Sequence, residues 1–348
     1  MARPGSRAGV DQAGSAEMNK LMRSSLSRWK AWYKHSVNRR IFAAILTVAS
    51  FTVVVKLATV VKDVAVAAQF GVSDALDAFL IALVLPSFAG GVIAESLNPA
   101  LIPTYIQVRE HQGREAAQRL FSSVMVWSSV GLIAFSVVLA LSAPYALPII
   151  ASGFSPEKLA LTHSLFYVLL PILVLNGLGA IWAAVLNAGE RFALTAIAPI
   201  LIPITIFALV IAMGRVWGIY SLVAGTLIGT VLHGALLVWA LRRRGFSLVP
   251  RWHGWDAATK QVLRQYSPIV AGAAMIGSTP LIDQSMAAMF DPGSVSVLNY
   301  AYKIVAGVDS IVTVALSKAV LPYFSGMVAT NDWNGIRHTL KTYARLIF

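Results

Sequence analysis

Residues 62–103 read KDVAVAAQFGVSDALDAFLIALVLPSFAGGVIAESLNPALIP, and they place two ionisable residues, Lys62 and Glu95, in segments otherwise apolar enough to lie in lipid. An ionisable side chain at bilayer depth costs at least about 2.5 kcal/mol on insertion scales, so it needs a water-filled cavity or a partner of opposite charge. The stretch therefore predicts membrane helices whose charged residues serve a function.

The composition of the whole chain is that of a membrane protein. Of its 348 residues, 57% are hydrophobic and 12% are charged, and the mean hydropathy is +0.71. Soluble domains carry about 25% charged residues. We therefore predict an all-α polytopic membrane protein. The chain has no cysteine, which excludes disulfides, thiolate metal sites and cysteine nucleophiles.

Apolar segments predict the membrane spans, because a span needs about 20 mostly apolar residues. Eight segments qualify, and a ninth would begin near Thr339. The eight lie near 41–69, 77–103, 120–142, 160–186, 192–213, 217–241, 266–290 and 295–321. They predict a six-span lobe at 41–242, a loop at 243–265 that includes Pro250-Arg251-Trp252-His253, and a partial second lobe at 266–348.

Residues 1–40 are expected to form a basic cytoplasmic tail. They hold no apolar core of 7–15 residues, so we expect no cleavable signal peptide. Trp29 and Trp32 stand among cations, which suits a segment that lies on anionic lipids before the first span.

The positive charges predict the topology. Of the 28 Lys and Arg residues, Lys158 and Arg215 fall in predicted outer loops and four fall within spans, which leaves 22 on one side of the membrane. Cytoplasmic loops carry the excess of Lys and Arg, so the amino terminus is expected in the cytoplasm. The net charge of +13 is then a consequence of topology, and we expect no nucleic-acid partner.

Three lysines at span depth are candidate anion-binding residues: Lys56 and Lys62 in the first span, and Lys303 in the eighth. If they converge between the lobes, they would bind a headgroup such as a diphosphate, with lysine acting as a point charge. The alternative is that they neutralise aspartates in structural pairs. The aspartates in question, which are also the candidates for coupling transport to an ion, are Asp63, Asp283 and Asp309.

Asp77 and Glu95 are the acidic candidates for substrate binding on the second span. They are 18 residues apart, which is five helical turns, so they share a face about 27 Å apart along a straight helix. Carboxylates that act together in hydrolysis lie within about 10 Å of each other. We therefore expect no catalytic pair, and the two residues would instead mark the ends of a transport path.

Pro86, Gly90 and Gly91 interrupt the same span and are candidate hinge residues. Proline and glycine are tolerated in membrane helices where neighbouring helices or water satisfy the backbone, and they supply bends. The alternative is ordinary close packing of helices at small residues.

The ordered series Lys62-Asp63, Phe70-Gly71, Asp74, Asp77-Ala78-Phe79, Leu85-Pro86 and Ala94-Glu95 resembles the start of the MurJ/MviN lipid II flippase family of the multidrug/oligosaccharidyl-lipid/polysaccharide exporter (MOP) superfamily. The resemblance implies a MOP-type transporter with one complete six-helix lobe and the start of a second. Because the family has about fourteen spans, it also implies a chain truncated at its carboxyl end.

Carried over by position, the resemblance places the family's first-span arginines at Lys56 and Lys62 and its eighth-span arginine at Lys303. The second-span acids fall on Asp77 and Glu95. Gly90 and Gly91 stand where lipid II flippases carry an arginine pair, which implies a weaker attraction for diphosphate and favours another polyprenyl-linked glycan.

The resemblance implies a flippase of the bacterial inner membrane that translocates a polyprenyl-diphosphate-linked oligosaccharide, either a peptidoglycan precursor or an exopolysaccharide or O-antigen unit, by alternating access. It implies neither catalysis nor a bound metal or cofactor. It allows coupling to Na⁺, H⁺ or the membrane potential, and it suggests glycan-assembly membrane proteins as partners. The alternatives are a cation-coupled multidrug exporter of the same superfamily, a membrane glycosyltransferase, and an inactive or regulatory half-transporter.

Overall fold

The computed structural model describes residues 37–307, with side chains from Leu46 onward except those of Ala94 and Glu95. Residues 1–36 of the predicted tail, residues 308–321 of the predicted eighth span, the ninth span and Asp309 lie outside the described residues, whereas residues 37–40 are helical. Within residues 37–307 the chain is helical, with no strand. The α-helices are α1 Val37–Phe70, α2 Asp74–Ala89, α3 Leu97–Ile150, α4 Pro156–Leu169, α5 Pro171–Ala188, α6 Phe192–Ile197, α7 Leu201–Trp217, α8 Ile219–Arg242, α9 Ala257–Ala287 and α10 at 294–307. A π-helix, Gly90–Glu95, follows α2, and a 3₁₀ turn, Ala198–Ile200, precedes α7.

Four helical stretches of the described chain are long and apolar enough to cross a membrane: Asp74–Ile150, Pro156–Ala188, Phe192–Trp217 and Ile219–Arg242. The first has 77 residues and would be about 115 Å long if straight, far more than a bilayer needs. It does not run straight, because Gly113 adopts φ 86°, a left-handed conformation that breaks α3 into an arm at 97–112 and an arm at 114–150.

Side-chain caps fix where several helices begin. Ser73 accepts a hydrogen bond from the Leu76 N–H at the start of α2, and Ser155 accepts one from the Lys158 N–H at the start of α4. Asp256 accepts one from the Thr259 N–H at the start of α9. Each cap satisfies a backbone donor that the first helical turn leaves without a partner.

Two clusters of buried side chains hold α1–α8 together at opposite ends of the bundle. One is built around Phe121, Ile181 and Leu237, and the other around Leu165 and Phe166. Helices α7 and α8 approach closely between them, because Gly225 and Gly229 of α8 face the backbone of α7.

We call α1–α8, which hold the six predicted spans of the first lobe, the six-span unit. Helix α9 packs on this unit along α2, the π-helix and α3, and α10 contacts α1 and α2. A small apolar cluster joins them at one end, where Ile81 and Ile150 meet Ala287, Ala288 and Val295. The division of the chain into two lobes at 243–265 stays a prediction.

Candidate functional site

A cavity of about 550 Å³ lies between α2 and the pair α9 and α10. Its walls are mostly apolar, with Ser87, Gln284 and Asn299 as the polar groups. Among the side chains that the structure describes, none that lines the cavity is charged. The Oε1 atom of Gln284 is buried and has no hydrogen-bond partner among the described residues.

The predicted hinge residues lie beside this cavity. Pro86 is buried inside α2, and the π-helix begins at Gly90, four residues later. Gly91 lines the cavity, and a Cβ atom added at Gly90 or Gly91 would meet no atom within 4 Å. A π-turn within an α-helix is rare and often marks a functional position. Hinge motion at these residues stays a prediction.

The Asp77 carboxylate lies at one end of the bundle and joins three helices. It is 1% exposed. Its Oδ2 accepts hydrogen bonds from Lys158 Nζ at 2.9 Å and the Gly293 N–H at 2.7 Å. Its Oδ1 accepts them from the Ser296 N–H at 2.8 Å and from the Ser296 hydroxyl. We call Asp77, Lys158, Gly293 and Ser296 the clamp.

The clamp is a helix cap provided by another helix. Gly293 immediately precedes α10 and Ser296 is its third residue, so both N–H groups belong to the unpaired donors of the first turn. A carboxylate at this position also interacts favourably with the helix dipole. In this conformation Asp77 has a structural role, and its contact with a substrate stays a prediction.

Lys158 is the residue of this site that the sequence did not reveal, because it was assigned to an outer loop. Its side chain is 7% exposed, and its Nζ also donates to Asp74 at 2.7 Å and lies 4.1 Å from the centre of the Phe154 ring. A signal was present: a lysine in the first turn of a helix opposes the helix dipole, so its position there calls for an acidic partner.

Close backbone contacts surround the clamp. A Cβ atom at Gly293 would collide with the Val72 side chain, and one at Gly153 would collide with the backbone of Ala288. The Tyr300 hydroxyl donates to the Gly71 carbonyl at 3.2 Å. The loops that connect α1 to α2 and α3 to α4 therefore pack against α9 and α10, with a pocket of about 150 Å³ left beside Asp77 and Lys158.

Neutral side chains hold α9 at the opposite end. The Tyr266 hydroxyl donates to the Ile93 carbonyl of the π-helix at 2.8 Å, and its ring packs edge-on against Trp127. Thr104 donates to Gln265 at 3.2 Å. These contacts tie the start of α9 to the π-helix and to both arms of α3.

The structure brings Lys62 and Lys303 together around Asp63. Lys62 forms an ion pair with the Asp63 carboxylate, and Lys303 Nζ lies 2.9 Å from Asp63 Oδ1. Lys303 also lies 5.5 Å from the centre of the Tyr300 ring. Two lysines share one carboxylate, so this group carries one net positive charge.

Of the other predicted residues, Lys56 and Asp283 are described and lie outside this group. Lys56 is exposed on α1, about 10 Å along the helix from Asp63. Asp283 of α9 accepts a hydrogen bond from the Tyr302 hydroxyl. The side chain of Glu95 is not among those described, and Asp309 lies beyond residue 307. Their roles in binding and ion coupling stay predictions.

The geometry can be compared with known proteins. A sequence model of the family described as "Lipid II flippase MurJ" matches residues 66–348. The chain belongs to the MurJ family. The lipid II flippase MurJ of Burkholderia cenocepacia is 26% identical over 297 residues, which cover 82% of this chain and 57% of that protein. The probable lipid II flippase MurJ of Rhizobium meliloti is 27% identical over 285 residues, which cover 79% and 53%.

Solved structures share the fold. A structure described as "Lipid II flippase MurJ, inward closed conformation" matches with a TM-score of 0.69 at 23% identity, over 81% of this chain and 59% of that one. A crystal structure of MATE in complex with MaD3S matches with a TM-score of 0.55 at 17% identity, over 75% and 60%. The predicted fold class is confirmed: the described residues are all-α, the chain is a multi-pass membrane protein, and its fold is that of the MurJ and MATE transporter structures. It spans under two thirds of the length of these MurJ relatives.

Proposed function

We propose that this chain forms the first lobe and the start of the second lobe of a flippase that moves a polyprenyl-diphosphate-linked oligosaccharide across the bacterial inner membrane by alternating access. The observation that carries the proposal is the cavity between α2 and the pair α9 and α10, which the clamp closes at one end. Membership of the MurJ family supports the same function.

The clamp suits alternating access because it can break without leaving a charge unpaired. Asp77 and Lys158 both belong to the six-span unit, whereas Gly293 and Ser296 belong to the α9–α10 unit. Separation of the two units removes the hydrogen bonds to Asp77 but keeps its ion pair with Lys158. A contact with two such arrangements is what a transporter needs to open one end at a time.

The substrate would divide between two regions of different chemistry. Ser87, Gln284 and Asn299 are neutral groups that can donate to or accept from sugar hydroxyl and amide groups. Lys62 and Lys303 would hold the diphosphate, with their charge reduced by Asp63. An uncharged cavity wall favours a neutral glycan, such as an exopolysaccharide or O-antigen unit, over a peptide-bearing precursor.

A vesicle assay tests the function. The full chain is reconstituted into vesicles that contain a fluorescent polyprenyl-diphosphate oligosaccharide, and dithionite bleaches the label that faces outward. Flipping makes the inner pool accessible, so the protected fraction should fall below that of empty vesicles. A protected fraction equal to that of empty vesicles would contradict the proposal.

Two further arms refine the assay. The neutral glycan lipid should be flipped faster than a peptide-bearing one, and equal rates would contradict the proposed glycan preference. Lys62→Met with Lys303→Met should slow flipping, whereas Arg215→Gln at the end of α7 should not. Uptake of a cationic drug driven by Na⁺ or H⁺, without lipid flipping, would favour the multidrug exporter.

A further inference from the structure

The connector at 243–256, between α8 and α9, exposes aromatic side chains beside cations. Trp252 is 43% exposed and Trp255 51% exposed, and their rings pack edge-on with centroids 5.1 Å apart. Arg251 is exposed next to them, and Lys260 and Arg264 are exposed in the first turns of α9. The two α9 cations are four residues apart and so lie on one face of the helix.

Hydrogen bonds to α3 fix the position of this exposed segment. The Ser122 hydroxyl donates to the Arg251 carbonyl at 2.8 Å and accepts from the Arg251 N–H at 2.6 Å. The Ser123 hydroxyl accepts from the His253 N–H at 3.3 Å, and Gln118 donates to the Ser247 carbonyl at 2.7 Å. The backbone that carries both tryptophans is therefore held in place, and their exposure is a property of the fold.

The connector reaches back along a membrane-crossing helix. Arg114, at the start of the second arm of α3, contacts the carbonyl of Arg244, where the connector begins. Ser122 lies eight residues further along this arm, which is about 12 Å. The arm belongs to an apolar stretch that is long enough to cross a membrane, so residues 249–255 run beside the first turns of a candidate span.

This combination fits one kind of occupant. Tryptophan prefers the boundary between hydrocarbon and headgroup, and cations near the surface attract anionic lipids. The one acidic neighbour in the connector, Asp256, is engaged in capping α9 at 2.7 Å. A free anion would satisfy the cations but leave the indole rings in water, and a zwitterionic headgroup brings no net charge.

We propose that the connector and the first turns of α9 form a binding site for anionic phospholipid headgroups in the leaflet that they face. We call Arg251, Trp252, Trp255, Lys260 and Arg264 the lipid patch. The proposal is independent of transport, because it concerns the outer surface of the bundle and not the cavity.

The test uses the purified full chain in neutral detergent, titrated with phosphatidylglycerol or phosphatidylcholine, with bound lipid counted by native mass spectrometry. Phosphatidylglycerol should bind more tightly, and salt should weaken it because the Debye length falls to about 3 Å at 1 M. Each cation contributes about fivefold to affinity, so Arg251→Gln with Lys260→Gln and Arg264→Gln should weaken binding about a hundredfold. Trp252→Ala with Trp255→Ala should also weaken it.

The matched control is Arg215→Gln with Trp217→Ala. These two exposed residues lie at the end of α7, outside the lipid patch, and remove the same kinds of side chain. It should leave the affinity unchanged, and every variant should keep the helical content of the wild type. Equal affinity for the two lipids, an equal loss in the control, or full competition by inorganic phosphate would each overturn the proposal.

Discussion

Replacing Asp77 by asparagine should open the end of the bundle that the clamp closes. Asparagine has the shape of aspartate but no charge, and one of its two polar atoms is a donor. Both carboxylate oxygens of Asp77 accept hydrogen bonds, from Lys158 and Gly293 on one side and from Ser296 on the other. Whichever oxygen becomes the amide nitrogen, its hydrogens meet another donor.

The size of the effect follows from these contacts. A hydrogen bond to a charged group contributes about 1.5–3 kcal/mol, and breaking a buried ion pair costs about 3–5 kcal/mol. We expect a cost at the lower end of the range for a broken buried ion pair, because Lys158 keeps Asp74 as a partner and asparagine keeps one acceptor. A loss of about 3 kcal/mol would raise the open population roughly 150-fold.

A cysteine reporter measures this population, since the chain has no cysteine of its own. Val295 is fully buried in the first turn of α10, so Val295→Cys should react with a membrane-impermeant maleimide only when the clamp end opens. The labelling rate should rise about a hundredfold with Asp77→Asn, in proportion to the open population.

Asp74→Asn is the matched control, because Asp74 also contacts Lys158 but its side chain is 60% exposed. An exposed ion pair contributes about 0–1 kcal/mol, so its loss should change labelling at most about fivefold. Val262→Cys, buried at the opposite end, separates opening from unfolding, because unfolding would expose both reporters. Equal labelling of Val295→Cys in the Asp77→Asn and Asp74→Asn proteins would refute the reasoning.

Three other changes have expected outcomes. Lys158→Met should raise labelling of the same reporter while Lys158→Arg should not, because arginine restores the cation; equal effects would point to packing instead. Gly225→Leu should lower the free energy of unfolding by about 1–3 kcal/mol, since even a Cβ would lie 2.7 Å from Ile206 Cα. Gly131→Ala, where a Cβ would meet open space, should be neutral or slightly stabilising. Thermal unfolding measures both. Gly91→Arg should raise the affinity for a diphosphate lipid about tenfold while Gly91→Gln should not, and equal affinities in a binding titration would exclude a charge effect.

The sequence predicted the all-α, multi-pass fold class because length and apolar composition are local properties. Both alternatives for the lysines could also be stated in advance, and in this structure Lys62 and Lys303 form pairs with Asp63. The contact of Lys303 with Asp63 depends on the approach of α10 to α1, and the two residues are 240 positions apart in the chain. No local pattern reports that distance.

The clamp is a second set of contacts that the sequence could not predict. Asp77 meets Lys158 across 81 positions and Gly293 across 216, so its partners depend on tertiary structure alone. The pattern placed Asp77 on a face of the second span, but a face can point toward a cavity or toward another helix. The π-helix was equally hidden, because its hydrogen-bond spacing departs from the 3.6-residue period on which sequence reasoning relies.

The two ends of the contact between the six-span unit and α9–α10 differ in chemistry, and the difference bears on how each could open. At the clamp end one buried carboxylate accepts the three hydrogen bonds that Gly293 and Ser296 donate, so a change at Asp77 weakens them together. At the opposite end, Tyr266 and Gln265 make separate neutral bonds, each contributing about 0.5–1.5 kcal/mol. Asp77→Asn would therefore weaken one end of the contact and leave the other unchanged, which is why the Val295→Cys and Val262→Cys reporters should respond differently.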